Sequence, residues 1–248
     1  MAIELLPMQW PLPVGVRAAI SLRRGGSSSG AFTSANMGDH VGDSEQAVAA
    51  NRSALNHQLK LPSSPLWLSQ IHSSKVIDSS AWQPNIEADG CYSKTAGAVC
   101  VAMGADCLPL LLCDASGEQV AAVHVGWRGL VGGVIEAALL HFDQQPLLAY
   151  LGPVIGAADF EVGSEVREQV LASVASYPAD SSLETAFVPR NNGKYLMNLT
   201  KLVCLKLHKR GQVACFGGDI NTLAESERCF SYRRDGTTGR HAALIWIE

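Results

Sequence analysis

The sequence predicts a single α/β domain in which a layered mixed β-sheet carries its helices on the outside. Three observations lead there. Short apolar runs of strand length outnumber helical stretches, and several follow one another with no helix between them, which disfavours a doubly wound parallel sheet. No internal repeat, low-complexity tract or linker divides the 248 residues, so one domain spans 1–248. Composition is that of an ordinary globular chain, 47% hydrophobic and 17% charged, long enough to bury most of its apolar surface.

The helices are read in chain order. Residues 44–61, SEQAVAANRSALNHQLKL, carry an acidic first turn, apolar residues at helical spacing and Pro62 just beyond. LVGGVIEAALLHF reads as one helix entered through glycines. SEVREQVLASV starts with Ser164 as its N-cap, and LTKLVCLKLHKRG stops at Gly211 with basic residues in its last turn. The strands expected are PLWLSQIH, AVCVAMGADC, CLPLLLC, QVAAVHVG, LLAYLGPVIG and QVACFGG. CFSYRR and RHAALIWI are expected to close a hairpin over DGTTG.

Charge and cysteine usage narrow the function classes. The net charge of −4, with no basic stripe, offers nothing to a nucleic-acid backbone or an anionic membrane. The opening MAIELLPMQWPLPVGV has no charged n-region and three prolines, and no apolar run approaches the roughly 20 residues of a membrane helix. Seven cysteines with no CxxC pair read as reduced thiols of a cytoplasmic protein, with Cys100, Cys113, Cys204 and Cys215 as packing residues.

Chemistry concentrates in ADCLPLLLCDASGEQVAAVHVGWRG, from Ala105 to Gly129. If CLPLLLC and QVAAVHV pair antiparallel with Cys113 opposite Glu118, Cys107 falls opposite His124. Directly opposed residues have Cβ atoms about 4.5–5.5 Å apart, close enough for thiolate and imidazole to share a metal or a proton. The glycine-rich turn after His124 leads into a helix whose N-terminus favours an anion, and Arg128 adds a bidentate donor fork there. Asp106 orients a ligand, moves a proton or serves as a strand-end turn residue. Two histidines and one cysteine suit a catalytic zinc, which keeps a fourth position open. The third ligand comes from elsewhere: His72, which closes LWLSQIH at a strand end like the other two, is preferred narrowly to His40, in the loop after NMGD.

The motifs SQIHSSKV, EADGCYS, ADCLPLLL, HVGWRG, LGPVIG followed by FEVG, YLMNL and FSYRRDGTTGR occur in one order along the chain. With SLRRGGSSSGAFTSANMGDHVGD before them, they make the sequence resemble the YfiH-like proteins, also called the polyphenol oxidase or laccase-domain family and the peptidoglycan editing factor family. The resemblance implies a compact domain related in fold to a bacterial deamidating toxin that uses a Cys–His pair. It implies a metal triad of His72, Cys107 and His124, usually holding zinc, and pocket residues at Arg23, Asn36 and Arg128. SLRRGG and SAN depart slightly from the family pattern without removing a donor.

The function implied is a zinc-dependent purine nucleoside phosphorylase acting on adenosine, inosine and methylthioadenosine, with adenosine deaminase activity. Its partners are purine nucleosides and phosphate, and the chain is expected to be a monomer or weak homodimer. Arg128, helped by Arg23, is the expected phosphate holder; Arg233 and Arg234 are weaker candidates, since a basic pair before DGTTG is more often a solvated hairpin tip. Two alternatives stand beside it. A multicopper oxidase needs His-X-His pairs, which the seven histidines do not form, although one copper fits the same triad. A metal-free amidase of cell-wall precursors would use Cys107 as nucleophile and His124 as base.

Overall fold

The computed structural model describes residues 2–143, 145–174 and 183–248. Its strands are β1 (Val16–Ile20), β2 (Val76–Asp78), β3 (Gly90–Ser93), β4 (Cys100–Gly104), β5 (Leu108–Asp114), β6 (Val120–Val125), β7 (Leu147–Leu151), β8 (Glu161–Val162), β9 (Phe187–Pro189), β10 (Tyr195–Met197), β11 (Val213–Gly217) and β12 (His241–Ile247). Its helices are α1 (Glu45–Leu59), α2 (Trp127–Gly132), α3 (Val134–Leu139), α4 (Ser164–Ser173), α5 (Leu199–Arg210) and α6 (Tyr232–Asp235). No helix among the described residues is long and apolar enough to cross a membrane.

The strands form a mixed six-stranded sheet in the order β11-β7-β5-β6-β3-β2, a three-stranded sheet β1-β12-β4, and a small sheet β8-β10-β9. Side-chain alternation stacks these into layers. On β5, Leu108, Leu110 and Leu112 join the core beneath α2 to α5. Leu111 and Cys113 point the other way, into a core shared with Ala243 and Ile245 of β12. The far face of that smaller sheet, Val101, Met103, Leu244 and Trp246, packs with Leu55 of α1. CLPLLLC is apolar throughout because both faces of its strand are buried. Leu111→Ala, at a fully buried position between the two sheets, should cost about 3 kcal/mol in urea unfolding. A loss below roughly 1 kcal/mol would contradict that packing.

Four readings of local structure need correction. The hairpin over DGTTG does not form. Both edges of β12 are taken by β1 and β4, so CFSYRR has no edge to pair with, and Ser231 instead caps the short α6 by accepting the Arg234 N–H at 3.2 Å. PLWLSQIH makes only isolated bridges, because the Gln70 amide occupies Met103 itself, donating to its carbonyl at 2.8 Å and accepting its N–H at 2.7 Å. LVGGVIEAALLHF is two six-residue helices broken at Gly133, whose φ of 86° lies in the left-handed region. Gly163, not Ser164, is the N-cap of α4. By contrast α1 follows its expected span, and α5 ends at Gly211 as expected.

Candidate metal centre and cleft

The β5–β6 loop is four residues long, as assumed, but displaced by one. Asp114 still belongs to the ladder: its N–H donates to the Gln119 carbonyl at 3.1 Å, and its carboxylate accepts from Glu118 N–H at 2.8 Å and Gln119 N–H at 3.1 Å. Cys113 therefore opposes Val120, and it is Pro109, not Cys107, that opposes His124. The shift is two residues, so each side chain keeps its face. Cys107 ends up in the bend just ahead of β5 and still reaches the imidazole.

His72, Cys107 and His124 come together with their donor atoms all within 4.8 Å of one another. His72 Nε2 lies 3.8 Å from Cys107 Sγ, and the two imidazoles meet edge-on with centroids 4.8 Å apart. Gly126 makes room for them: a Cβ there would sit 2.8 Å from the His72 ring and 3.0 Å from Cys107 Sγ. His40 lines the same cleft without joining the group, so the geometry favours His72 as third donor.

Asp89 organises the triad, and no reading of single motifs pointed to it. Its carboxylate is fully buried. One oxygen accepts from His124 Nδ1 at 2.8 Å and His72 N–H at 3.0 Å; the other accepts from Ile71 N–H at 3.2 Å, Ser73 N–H at 2.6 Å and Ser73 Oγ at 2.8 Å. These bonds hold His72 in the left-handed region at φ 62°, a conformation that needs such support in a non-glycine residue. They also commit His124 Nδ1 to Asp89, leaving Nε2 free as donor to a metal. A carboxylate-backed His₂Cys set with an open side fits a zinc-like ion by donor chemistry.

Without metal the site is a coupled ion pair. Burial alone would raise the Cys107 thiol, but the His124 and His72 imidazoles outweigh it and hold it at about 6. Burial alone would lower His124, but the Cys107 thiolate and Asp89 raise it to about 9. The pair is therefore charged between those values. With metal stripped by chelator, alkylation of Cys107 followed by site-resolved mass spectrometry should reach half its maximal rate near pH 6. A midpoint at about 8.5, the ordinary thiol value, would contradict the arrangement.

The triad opens into a cleft of about 500 Å³, bounded by Trp127, Phe160 and Tyr232 and by Arg128, Arg233 and Arg240. Arg128 lies over the Trp127 ring at 4.4 Å and has no ion-pair or hydrogen-bond partner among the described residues. The helix it opens, α2, has only six residues, so guanidinium charge and not a helix dipole makes this wall anion-friendly.

Several expected roles change. Asp106 lines the cleft, but its carboxylate is occupied by Thr222 Oγ1 and Arg233 N–H, both at 2.6 Å, which ties the Cys107 bend to α6. Arg23 lies outside the cleft, donating to the Thr33 carbonyl at 2.8 Å and the Ser226 carbonyl at 3.0 Å. Asn36 is fully buried, bonded to Gly38, Asp43 and Arg240, and reaches no open space. Neither lines the cleft into which the triad opens. Arg233 faces the cleft, while Arg234 is held by Asp235 and the carbonyls of Thr222, Leu223 and Cys229. All seven cysteines are free thiols.

The family model described as multi-copper polyphenol oxidoreductase laccase matches residues 17–248. The chain belongs to that family. A relative from Shigella flexneri named purine nucleoside phosphorylase YfiH is 45% identical over 248 residues, covering 98% of this chain and 99% of its own. The protein of the same name from Escherichia coli K12 is 44% identical with the same coverage. A Neisseria meningitidis protein of known crystal structure superposes with a TM-score of 0.90 at 41% identity, covering 98% of this chain and 99% of that one. In this family member, one group of three donors among the described residues is spaced to hold a metal, and it is the His72–Cys107–His124 triad.

Proposed function

We propose that this chain is a zinc-dependent purine nucleoside phosphorylase acting on adenosine, inosine and methylthioadenosine, with adenosine deaminase activity. The observation that carries the reading is the cleft itself: three guanidiniums with no carboxylate at ion-pair distance among the described residues and three aromatic rings surround one His₂Cys group. The names of the relatives point the same way.

In phosphorolysis a phosphate oxygen bonds to C1′ of the ribose while the bond from C1′ to N9 of the purine breaks. The electron pair of that bond passes into the base. This chain's residues bind and orient the reactants: guanidinium donors hold the phosphate, and the rings of Trp127, Phe160 and Tyr232 offer faces for the base. Fixed positive charge in a partly enclosed cleft also stabilises the negative charge that builds on the departing purine. A zinc held by His72, Cys107 and His124 would supply Lewis-acid activation of water, the chemistry that deamination at C6 of adenine requires.

Release of adenine and hypoxanthine from adenosine and inosine, measured with and without phosphate, tests the reading. Phosphate-dependent release with formation of ribose 1-phosphate is the expected outcome. No release by protein whose zinc content has been verified would overturn it. The series Cys107, His124 and Asp89 would then favour a thiol hydrolase, with Cys107 as nucleophile and His124 as base.

A further inference from the structure

The three cleft arginines differ in depth. Arg128 and Arg233 are exposed, and Arg240, just ahead of β12, is half-buried. None has a carboxylate at ion-pair distance among the described residues, whereas Arg17, Arg24, Arg52, Arg228 and Arg234 all do. One terminal amine of Arg240 donates to the carbonyls of Thr238 and Gly239, both at 3.0 Å. Its Nε and its other terminal amine make no hydrogen bond among the described residues. The acidic groups whose charge reaches it are Cys107, Asp106 and Tyr232, and the carboxylate of Asp106 already accepts from Thr222 and Arg233. A cleft-lining guanidinium with two donors uncommitted to the protein is available to an anion entering the cleft.

The chain holds this arginine from a distant segment. Asn36 Oδ1 accepts the Arg240 N–H at 2.9 Å, and the Arg240 carbonyl accepts from Met37 N–H at 3.0 Å. Gly38 leaves space for the side chain, since a Cβ there would lie 2.8 Å from Arg240 Cγ. Buried Asn36 is thus a positioning residue for Arg240 and not a ligand contact.

We propose that Arg240 is the inner phosphate-binding residue of the cleft, its Nε and free terminal amine taking two oxygens of inorganic phosphate side by side. That edge of a guanidinium matches two oxygens of a tetrahedral oxyanion. The assignment rests on the phosphorylase reading for the identity of the anion.

Calorimetric titration of inorganic phosphate into wild type, Arg240→Gln and Arg240→Lys, at equal metal content, tests the assignment. Arg240→Gln should weaken phosphate binding about tenfold or more, and Arg240→Lys should recover part of it. In steady state KM for phosphate should rise by the same factor while KM for inosine stays within about twofold, a split that a merely structural lesion would not produce. Wild-type phosphate affinity in Arg240→Gln of unchanged melting temperature would overturn the assignment, as would wild-type protein that binds no phosphate at millimolar concentration. Phosphate binding that is lost in Arg240→Gln, in a protein releasing no base, would leave the anion subsite standing and remove the phosphorylase reading instead.

Discussion

Cys107→Ala should abolish base release from adenosine and inosine, lowering kcat/KM by more than about a hundredfold, while the protein stays folded. That factor is the upper end of what losing an outer partner of a metal ligand costs, and Cys107 is itself a ligand candidate. The substitution removes the one thiolate of the triad and leaves His72 and His124 as a two-donor set. Bound zinc, counted per chain by elemental analysis, should fall in parallel. Stability should change little for a cysteine in a bend, because Cys107 belongs to none of the three apolar clusters. Activity surviving in Cys107→Ala would show that the triad is not the reacting centre, whatever metal the protein carries. Cys107→Ser discriminates further: a hydroxyl is a poor zinc donor, so a metal role predicts loss close to that of alanine.

What the sequence displayed and what it hid follow a physical pattern. Strands buried on both faces, such as β5 and β6, are visible as unbroken apolar runs, and α5 shows its terminus through Gly211 and a basic last turn. Their register was less legible, since it depended on whether Asp114 ended the ladder or stayed in it. The predicted cross-strand pair of Cys107 with His124 did not form, since Pro109 takes that position, but Cys107 in the bend ahead of β5 still reaches the imidazole. CFSYRR misled for a different reason: alternation describes a strand that has a free partner, and both edges of β12 were taken by segments far away in sequence. Arg240 was hidden likewise, because the contact that orients it comes from Asn36, 204 positions earlier. Spacing barely separated His72 from His40; its place at the end of LWLSQIH favoured His72, and the resemblance favoured it again. Asp89 was present only inside the motif EADGCYS, with nothing to single it out: a buried carboxylate reads like any surface aspartate until the donors converging on it are known.

Asp89→Asn, though isosteric, should therefore be strongly damaging. Both carboxylate oxygens accept, one from His124 and His72, the other from Ile71 and from Ser73 twice. An amide must turn its NH₂ toward one of those sets, so a donor faces donors in either orientation. Each buried group left without an acceptor costs about 1–3 kcal/mol, so a total loss of roughly 2–4 kcal/mol in urea unfolding is expected. Metal affinity should fall about 10- to 100-fold, because the His124 ring loses the partner that fixes its tautomer and the His72 backbone loses the acceptor that holds its left-handed turn. Burial alone would raise the Asp89 carboxyl, and hydrogen bonds from His124 and Ser73 outweigh it and leave it below the ordinary range. The sign of the linkage follows: the stabilisation from Asp89 is complete above the ordinary carboxylate pKa of about 3.9 and is lost as pH falls through the lower folded value. At neutral pH the full deficit of Asp89→Asn should be measurable, and it should shrink on acidification as wild type loses the same contribution. Ser73→Ala, which deletes one of the five bonds and leaves the carboxylate intact, sets the scale. If it weakened metal binding as much as Asp89→Asn, the charge on Asp89 would not be what organises the triad.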